Sequence, residues 1–526
     1  MIAPAAAEHR RDVERLLAVV RSPQVRDGAL QERDHSLRVQ VCVVGSGAGG
    51  ATIARELARR GHTVVLIEEG AYRTGRDFGD PPPVMLRALY REQGQTRAIG
   101  DVPIPIPLGR CVGGTTTIGW GTCERAPDDV LRAWETEHGV SGVGPGELAR
   151  FYVRAEGELG VAQVPDELFG RNAELLERGA SALGHQGARV ARNVRGCLAT
   201  GVCGLGCPQD AKQAMHVSYV PSALGAGAVL YTRTRVERVL VSQGRAFGVQ
   251  AVFLGENDRP TGLGLRVVAD RVVVACGALL TPALLERSGV KHELLGRNLH
   301  LQPSLRVVAR FPEDVRAWTA VPQGYAVREL AAEGISIAST FQPPSLTALA
   351  LPGLGATHKN VMAHYAQLAS CSVTVADQAG GSVRAGRRSF PDVRYALHDV
   401  DRRKLLRGAS LAAEMLFAAG AVEVHPAIHS RPVLRTVDEA RALRDADLPA
   451  SDLILEGFHP MGTARMADDP KRGVTSSMGE VHGVRDLHVV DASLLPTACG
   501  VAPQMTIVAL AMRIGEWMSD ELGAPL

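Results

Sequence analysis

Apolar residues near the N-terminus recur at helical spacing among charged residues. Over residues 9–22, Val13, Leu16 and Val20 fall on one side of a helix, and this pattern predicts an amphipathic helix. A polar stretch through His35 separates the helix from the next apolar run. We therefore interpret residues 1–37 as an N-terminal helical extension.

Strand and helix patterns alternate in the segment that follows. Residues 41–44 (VCVV) and 63–67 (TVVLI) are short β-branched runs typical of buried parallel strands, and helical spacing between them ends at Gly61. The first strand leads into a turn with three glycines at GxGxxG spacing: Gly45, Gly47 and Gly50. This order predicts an α/β protein with a doubly wound parallel sheet.

The glycine turn has the context of a dinucleotide-binding site, because it follows a strand and opens a helix. Gly45 permits the tight turn, Gly47 lets the backbone approach a pyrophosphate, and Gly50 lets the helix pack closely on the strand. The helix N-terminus offers free N–H groups to the phosphates. Glu68 ends the second strand, where its carboxylate can accept hydrogen bonds from a ribose diol. An NAD site and a turn without a ligand stand as alternatives at this point.

Later segments of the chain mix strand and helix patterns. Residues 229–241 alternate like one strand, and residues 272–290 indicate a strand, a glycine turn and a helix. Residues 306–454 combine scattered strands, a long apolar loop at 341–355 and a helix through 405–421. We predict from them a second, substrate-facing domain built from a sheet and helices.

Composition and charge fit a globular protein of two domains. Of the 526 residues, 45% are hydrophobic and 22% charged, and the net charge of +2 gives no reason to expect a nucleic-acid or acidic-membrane partner. No apolar run reaches the roughly 18 residues that a membrane span needs. Charges within the first ten residues argue against a signal peptide. We therefore expect a soluble cytoplasmic protein with no strong membrane signal.

Three of the nine cysteines lie close together in the chain, at Cys197, Cys203 and Cys207. Tetrahedral zinc usually takes CxxC-type pairs with a fourth ligand at a workable distance. Here five and three residues separate the cysteines, and the nearest histidine is His216. Small buried thiols are therefore favoured over a metal site, and we expect no metal.

Four blocks in order carry a family resemblance: the GxGxxG unit, GRCVGGTTTIGWGTCERAP, CGALLTPALLERSGV, and FHPMGTARM followed by HVVDASLLPTACGVAPQMTIVALAMR. Together they resemble the glucose–methanol–choline (GMC) family of FAD-dependent oxidoreductases. The CGLGCPQDAKQ segment and the apolar loop at 341–355 most resemble the long-chain alcohol oxidase branch of that family. The resemblance implies bound FAD and the GMC fold, a Rossmann-like FAD domain with a sheet-plus-helix substrate domain. The predicted FAD domain comprises residues 38–130, 195–305 and 455–526, and the predicted cap domain comprises residues 131–194 and 306–454.

The resemblance also implies roles for individual residues around FAD. The three glycines of the turn would meet the pyrophosphate, and Glu68 would meet the adenosine ribose. The C-terminal block argues against NAD, because an NAD enzyme needs no second, distant segment around an isoalloxazine ring. The other cofactor-binding residues that the resemblance implies are Gly113, Gly114, Thr115, Val236, Asp491, Ala492 and Pro503.

The histidine in FHPMGT, His459, matches the family's catalytic base beside the flavin. Hydride transfer from an alcohol needs a base near the O–H group, and the histidine pKa of about 6.5 suits that task. Desolvation beside an apolar flavin face would favour the neutral ring, as a base requires. His482 and His488 lie in the same region, and we interpret them as structural.

Two positions depart from the family pattern on the substrate side. Ala502, in GVAPQMTI, stands where relatives carry Asn or His to bond the substrate oxygen, and alanine has no donor or acceptor. Gly119 stands where relatives often carry Asn near the flavin. Gln504, Thr117 or a water could supply the lost hydrogen bond.

These departures leave three functions open. The first is oxidation of a hydrophobic alcohol, whether long-chain, sterol-like or aromatic, with His459 as base and O₂ or an unknown group as electron acceptor. The second is other flavin chemistry on a small apolar substrate, such as C–H oxidation, a lyase reaction or decarboxylation, in the space that Ala502 leaves. The third is a flavin-binding protein without catalysis, which the retention of His459 disfavours.

Overall fold

The N-terminal segment contributes both a helix and a strand. A computed structural model describes residues 13–378, 380–386 and 390–523, so the predicted helical residues 9–12 lie outside the described part. Residues 13–20 are helical, as the pattern predicts. Val25–Asp27 then pairs in parallel with Val229–Thr232. The segment before residue 38 is therefore part of the first sheet, and the prediction of a purely helical extension is wrong.

The first sheet has eight strands and is mostly parallel at its centre. Its order is Val25–Asp27, Val229–Thr232, Val64–Ile67, His35–Val44, Pro260–Val274, Arg245–Leu254 and Thr234–Ser242, with Leu487–Val489 pairing the end of Pro260–Val274. Val44 aligns with Ile67 and with Val274, and Val274 aligns with Val489. Four parallel strands therefore end at one level, which is where open α/β sheets bind their ligands.

Helices cover this sheet with apolar faces. Ala48–Arg59 carries Ile53, Ala54 and Leu57 into the core at 0% exposure, and it packs against the C-terminal helix Gln504–Leu522. Helix Pro145–Leu159 packs on the C-terminal helix in turn. Its buried side chains belong to the core of the first sheet, so residues 145–159 lie with that sheet and not with the predicted cap domain.

The second sheet is antiparallel and has one face in a core. Its order is Glu423–His425, Pro303–Arg310, Leu368–Val375, Ile335–Ser339, Tyr325–Val327 and Gly187–Arg189, and Glu456–Gly457 pairs the start of Pro303–Arg310. Leu305, Val307, Val373 and Ile337 are fully buried beneath helix Asp399–Ala418. Because side chains alternate along a strand, the intervening residues face the other way.

The remaining elements are further helices, 3₁₀ turns and three small sheets. Further helices are Pro82–Leu89, Thr115–Ile118, Asp128–Thr136, Asp166–Ala182, Tyr219–Gly225, Leu280–Arg287, Pro344–Ala350, Gly355–Ala363 and Val437–Arg441, and the 3₁₀ turns include Gly28–Leu30, Cys203–Leu205 and Ala492–Leu494. A three-stranded sheet joins Arg297–Leu299, Gly381–Ala385 and Pro391–Tyr395. One two-stranded sheet joins Arg97–Ala98 with Ile104–Pro105, and another joins Val161–Gln163 with Ala191–Asn193. Across the described ranges, no helix is both long enough and apolar enough to span a membrane.

Two predicted elements and one predicted domain boundary differ from those observed. The strand predicted at 229–241 is two strands, because Arg233 adopts a left-handed conformation (φ +44°) between them. The apolar loop predicted at 341–355 contains helix Pro344–Ala350, which begins at a proline in the first helical position. Strand Pro303–Arg310 belongs wholly to the second sheet, so the predicted domain boundary at residue 306 falls inside a strand.

Candidate active site

One cavity of about 570 Å³ lies between the two sheets. Its first end is formed by the carboxyl ends of the parallel strands, including Val44, Ile67 and Ala275. Its second end is formed by the second sheet and by helix Pro344–Ala350. Most of the predicted site residues line this cavity: Gly45, Gly47, Glu68, Gly114, Thr115, Val236, His459, Asp491, Ala492, Ala502, Pro503 and Gln504.

The glycine turn is built for close backbone packing. Gly45 has φ +97°, and a Cβ there would lie 2.3 Å from the Ala275 carbonyl oxygen. A Cβ on Gly50 would lie 1.8 Å from the Gly45 carbonyl oxygen, so Gly50 packs helix against strand without itself lining the cavity. Gly47 differs, because a Cβ there would meet nothing within 4 Å. Gly47 caps the helix without a side-chain hydrogen bond, which leaves N–H groups for a phosphate.

These differences predict that alanine at position 50 and alanine at position 47 affect two different quantities, stability and cofactor binding. Gly50→Ala forces backbone apart, and we expect it to destabilise the protein without FAD by about 1–3 kcal/mol or more. Gly47→Ala leaves that stability nearly unchanged and weakens FAD binding, because its methyl group enters the cavity. Thermal unfolding of the FAD-free protein and titration with FAD measure the two effects. Equal loss of stability in both variants would contradict the assignment.

Glu68 is buried at the end of the second strand and already accepts hydrogen bonds from the protein. Its carboxylate accepts from the Ser46 hydroxyl at 2.6 Å, the Ser46 amide at 3.1 Å and the Gly70 amide at 2.9 Å. Burial raises the pKa of Glu68, and these hydrogen bonds oppose that rise. The carboxylate therefore holds the glycine turn in place. Oε2 accepts both bonds from Ser46 and Oε1 accepts only the one from Gly70, so Oε1 keeps lone-pair capacity for a ligand.

The segment at 113–115 lies directly against the glycine turn. The Gly113 amide donates to the Ser46 hydroxyl at 3.0 Å, so Gly113 contacts the turn although it does not line the cavity. Gly114 and Thr115 do line it. A buried lysine supports the end of this segment, since Lys212 Nζ donates to the Thr117 carbonyl at 2.7 Å. Burial lowers the pKa of Lys212 to about 8.

Asp491 joins two strand ends at the cavity. Its carboxylate accepts from the Gly277 amide at 2.8 Å, the Thr281 hydroxyl at 2.5 Å and the Ser493 amide at 2.7 Å. Burial raises the pKa of Asp491, and these bonds oppose that rise. The same cavity is also lined by Val236, Ala492 and Pro503.

His459 has one ring nitrogen held by the protein and one without a protein partner. Gln302 Nε2 lies 2.8 Å from His459 Nδ1 and 3.0 Å from the Val501 carbonyl oxygen. The Gly500 amide donates to Gln302 Oε1 at 2.6 Å. These two backbone groups fix the orientation of the Gln302 amide, so its NH₂ group faces Nδ1.

A donor at Nδ1 decides where the proton of the neutral His459 ring sits. Nδ1 must accept, so Nε2 carries the hydrogen. Among the described residues, Nε2 of His459 has no hydrogen-bond partner, and the residue lines the cavity. Burial lowers the pKa of His459 to about 4, which keeps the ring neutral at physiological pH. In this arrangement His459 offers an N–H donor to the cavity.

Gln302 is itself held rigidly. It is 1% exposed and has φ +47°. Asp377 accepts from the backbone amides of Leu301 and Gln302, each at 3.0 Å, and from the Tyr395 hydroxyl at 2.7 Å. The sequence pattern did not indicate Gln302, because its contacts come from three segments distant in the chain.

The alternatives for the hydrogen bond missing at Ala502 can be compared directly. Thr117 does not line the cavity, and its hydroxyl lies 3.0 Å from the Val112 carbonyl oxygen and 3.1 Å from His216 Nδ1. Thr117 is therefore a poor candidate. Gln504 lines the cavity, and its Nε2 is buried without a partner among the described residues. Gln504 has a free donor, while Gly119 lines the cavity with no side chain.

A buried ion pair at the second end of the cavity was also not indicated by the sequence. Arg306 is 2% exposed, and its Nη2 lies 2.7 Å from a Glu456 carboxylate oxygen. Nε and Nη1 of Arg306 have no partner among the described residues. Both residues line the cavity. An arginine between Leu305 and Val307 in the strand segment PSLRVVAR was the signal available in the sequence.

The three clustered cysteines lie beside the cavity but not in it. Cys197, Cys203 and Cys207 line a separate space of about 10 Å³ next to Lys212. All three thiols are free. Within the described part of the chain, no group of three or more His, Cys, Asp or Glu side chains is arranged to hold a metal ion.

Comparisons with known proteins agree with this architecture. Family models described as GMC oxidoreductase match residues 86–304 and 372–511, and one described as an NAD(P)-binding Rossmann-like domain matches residues 43–77. An uncharacterized GMC-type oxidoreductase of Mycobacterium tuberculosis is 41% identical over 91% of this chain and 75% of its own length. A long-chain-alcohol oxidase of Arabidopsis thaliana is 29% identical over 91% of this chain and 67% of its own length.

Solved structures show the same fold at low identity. Pyridoxine 4-oxidase from Mesorbium loti superposes with a TM-score of 0.70 at 18% identity, over 91% of this chain and 99% of its own. A formate oxidase of Aspergillus oryzae gives a TM-score of 0.68 at 16% identity, over 92% and 98%.

The parallel sheet, the glycine turn and these matches define a Rossmann-type oxidoreductase with a substrate domain. The chain belongs to the GMC oxidoreductase family, as the sequence blocks predict. FAD is the cofactor of this family, and the residues present fit it. The uncapped helix N-terminus and the open space over Gly47 suit its pyrophosphate, and Asp491, Ala492 and Thr115 line the space further along.

Proposed function

We propose that this protein oxidises the CH–OH group of an alcohol at the end of the cavity beside His459. When bound, FAD supplies the acceptor for the hydride that leaves the alcohol carbon. The observation that carries the proposal is the neutral His459 ring, whose cavity-side Nε2 is free of partners among the described residues. The long-chain-alcohol oxidase among the relatives, 29% identical, supports an alcohol as the substrate.

In this proposal His459 contacts the substrate oxygen. With Gln302 donating to Nδ1, the resting ring holds its proton on Nε2 and donates it as a hydrogen bond to that oxygen. The base form needs the other tautomer, with hydrogen on Nδ1. That form requires the Gln302 amide to turn and to give up its bonds to Gly500 and Val501, each worth about 1 kcal/mol. The base form is therefore a minor tautomer, and Gln302 controls its population.

Ala502 supports a second candidate, flavin chemistry at a carbon without a hydroxyl group. The residue lines the cavity, and its methyl group offers no second contact to a substrate oxygen. An apolar group fits beside it better than an alcohol oxygen does. A C–H oxidation, lyase or decarboxylase reaction on an apolar substrate would use this space.

Anaerobic reduction of the FAD-loaded protein distinguishes the two candidates. The flavin absorbance is followed after mixing with long-chain, sterol-like and aromatic alcohols, and with matched hydrocarbons and carboxylic acids that lack the hydroxyl group. Bleaching by alcohols alone supports alcohol oxidation. Bleaching or product formation with the matched compounds alone supports the second candidate, and no response to either set contradicts both.

Replacing Gln302 tests the control of the His459 tautomer. In Gln302→Glu the carboxylate accepts from Nδ1–H, so Nε2 is left with a lone pair, and the negative charge raises the pKa of His459. We expect alcohol-driven flavin reduction at neutral pH to rise at least about tenfold. In the wild type His459 stays neutral above its pKa of about 4, so its titration leaves the rate unchanged at higher pH. In the variant the rate falls as the pH falls through the raised pKa.

Gln302→Met is the matched control, because it keeps the length of the side chain and removes both the C=O and the NH₂ of its amide. We expect its rate to lie between those of the wild type and Gln302→Glu. The ¹⁵N chemical shifts of the His459 ring report the tautomer directly. A ring that carries its proton on Nδ1 in the wild type would refute the assignment.

A further inference from the structure

The cavity-facing side of the second sheet carries an ordered set of polar side chains. Glu456 pairs with Ser304, Ser304 with Thr374, and Thr374 with Ser336, which makes a row across four strands. In the next row, Arg306 pairs with Ser372, and Ser372 with Ala338. Neighbouring strands lie about 4.8 Å apart, so these groups form two rows of polar side chains across the sheet. We call Glu456, Ser304, Thr374, Ser336, Arg306 and Ser372 the polar sheet face.

The strand alternation assigns these side chains to the cavity and not to the core. Their neighbours Leu305, Val373 and Ile337 are fully buried beneath the helices on the opposite face. All members of the polar sheet face except Ser304 line the cavity. The polar groups therefore lie at the substrate end of the cavity, across from the glycine turn.

Much of this hydrogen-bonding capacity is unused within the protein. The hydroxyls of Ser336 and Ser372 bond to no other described residue, and Thr374 bonds only to Ser304 within the described ranges, at 3.1 Å. Two nitrogens of Arg306, Nε and Nη1, have no acceptor for their N–H groups in the described part of the chain, and Nη2 pairs with the Glu456 carboxylate. The open Arg306 nitrogens are buried, while Ser336 and Thr374 are half-buried beside them. Buried polar groups are normally satisfied, so the open nitrogens of Arg306 indicate a polar ligand on this face.

Another part of the cavity wall is apolar. Phe341, Leu346, Leu349 and Ala350 line it from helix Pro344–Ala350 and the short segment before it. Leu349 is 75% exposed, so this apolar wall reaches the protein surface. The substrate space thus has one hydroxyl-rich side and one apolar side that leads outward.

We infer that the substrate is an amphiphilic alcohol, with further hydroxyl groups that lie on the polar sheet face and an apolar part against helix Pro344–Ala350. A hydroxyl group can accept from Arg306 and donate to Glu456, which neither an alkane nor a carboxylate does as well. This inference rests on the proposed alcohol oxidation and adds further hydroxyl groups to the hydrophobic alcohol that the sequence predicted. It names a substrate class by the groups that recognise it.

Binding to the holoprotein with its flavin already reduced tests the inference without turnover. The probes are 1-octanol, octyl β-glucoside below its micellar concentration, and methyl glucoside, measured by calorimetry. We expect octyl glucoside to bind at least about tenfold more tightly than 1-octanol, since each hydrogen bond contributes about two- to tenfold. We also expect it to bind more tightly than methyl glucoside, which lacks the apolar part. Equal affinity for octyl glucoside and 1-octanol would overturn the inference.

A variant with Ser336→Ala, Ser372→Ala and Thr374→Val removes three hydroxyls and keeps the shape of the sheet face. It should lose most of the preference for octyl glucoside and keep its affinity for 1-octanol. Ser345→Ala, which removes an exposed hydroxyl outside the cavity, is the control. If the triple variant does not retain FAD, Ser336→Ala and Ser372→Ala singly make the same comparison. A preference that survives in these variants would overturn the inference.

The same set of measurements separates this inference from the proposed function. Reduction of the oxidised holoprotein by octyl glucoside supports both. If the preference and its loss in the variant are found but no alcohol bleaches the oxidised flavin, the substrate class stands and alcohol oxidation is what fails.

Discussion

Replacing His459 with glutamine is expected to slow alcohol-driven flavin reduction by about 10²–10⁴-fold. The neutral ring lies at the substrate end of the cavity with a free Nε2, so its removal takes away both the donor at the substrate oxygen and the base form reached through the minor tautomer. Glutamine fills similar space and keeps a polar end, which limits structural damage. Anaerobic stopped-flow absorbance measures the rate, and FAD content measured at the same time shows whether the cofactor site is intact.

His482→Gln provides the matched control. His482 lies in the same C-terminal region, but its Nε2 lies 2.9 Å from the Ala467 carbonyl oxygen, and the residue does not line the cavity. We expect no change in the rate of flavin reduction beyond about twofold. Full activity in His459→Gln would remove His459 from the mechanism and leave Gln504, with its free amide donor, as the next candidate.

The cofactor half of the site was predictable because its constraints are local in sequence. Gly45, Gly47 and Gly50 lie within six positions of a strand, a turn and a helix in succession. Close backbone contacts require glycine at positions 45 and 50, and Gly47 leaves open space over the helix N-terminus. The prediction of the GMC family, of the α/β fold and of FAD is confirmed for the same reason. Ordered blocks of sequence preserve such local geometry.

The substrate half of the site depends on which strands pair and in which register, and the sequence pattern does not predict that pairing. Arg306 meets Ser372 only because two strands distant in the chain pair in one register. A shift by one residue would move every one of these side chains to the opposite face. Gln302 likewise acts through Gly500 and Val501, almost two hundred positions away. The predicted apolar substrate came from the loop at 341–355, which forms only one wall.

The sequence-based division placed helix Pro145–Leu159 in the wrong domain, again because its contacts are made with a distant part of the chain. The apolar face of helix Pro145–Leu159 fits either core by its pattern alone. Its partner, the C-terminal helix, lies more than three hundred residues further along the chain. The strand at 229–241 was misread because a left-handed arginine, Arg233, leaves no mark in an alternating pattern.

Substitution of Ala502 tests whether a polar contact to the substrate oxygen is missing from the site. The Gly500–Val501 backbone is bonded directly to Gln302, so residue 502 follows immediately on the segment that orients His459. Asparagine there would bring an amide donor and acceptor to the cavity wall, within reach of a substrate oxygen. Removing one such contact from an active site typically costs about 10²–10³-fold in rate, and we expect Ala502→Asn to raise alcohol-driven flavin reduction by a comparable factor.

The control for Ala502→Asn is Ala502→Leu, which adds similar volume without a polar group. It should leave the rate unchanged or lower it, and anaerobic flavin reduction with the same alcohols measures both variants. If asparagine accelerates the reaction and leucine does not, the wild-type site performs alcohol oxidation with one polar contact absent. If both substitutions abolish the activity, the space beside Ala502 is occupied by the substrate itself. The methyl group would then face an apolar part of that substrate, because an apolar wall is favourable only beside a substrate group without polar atoms.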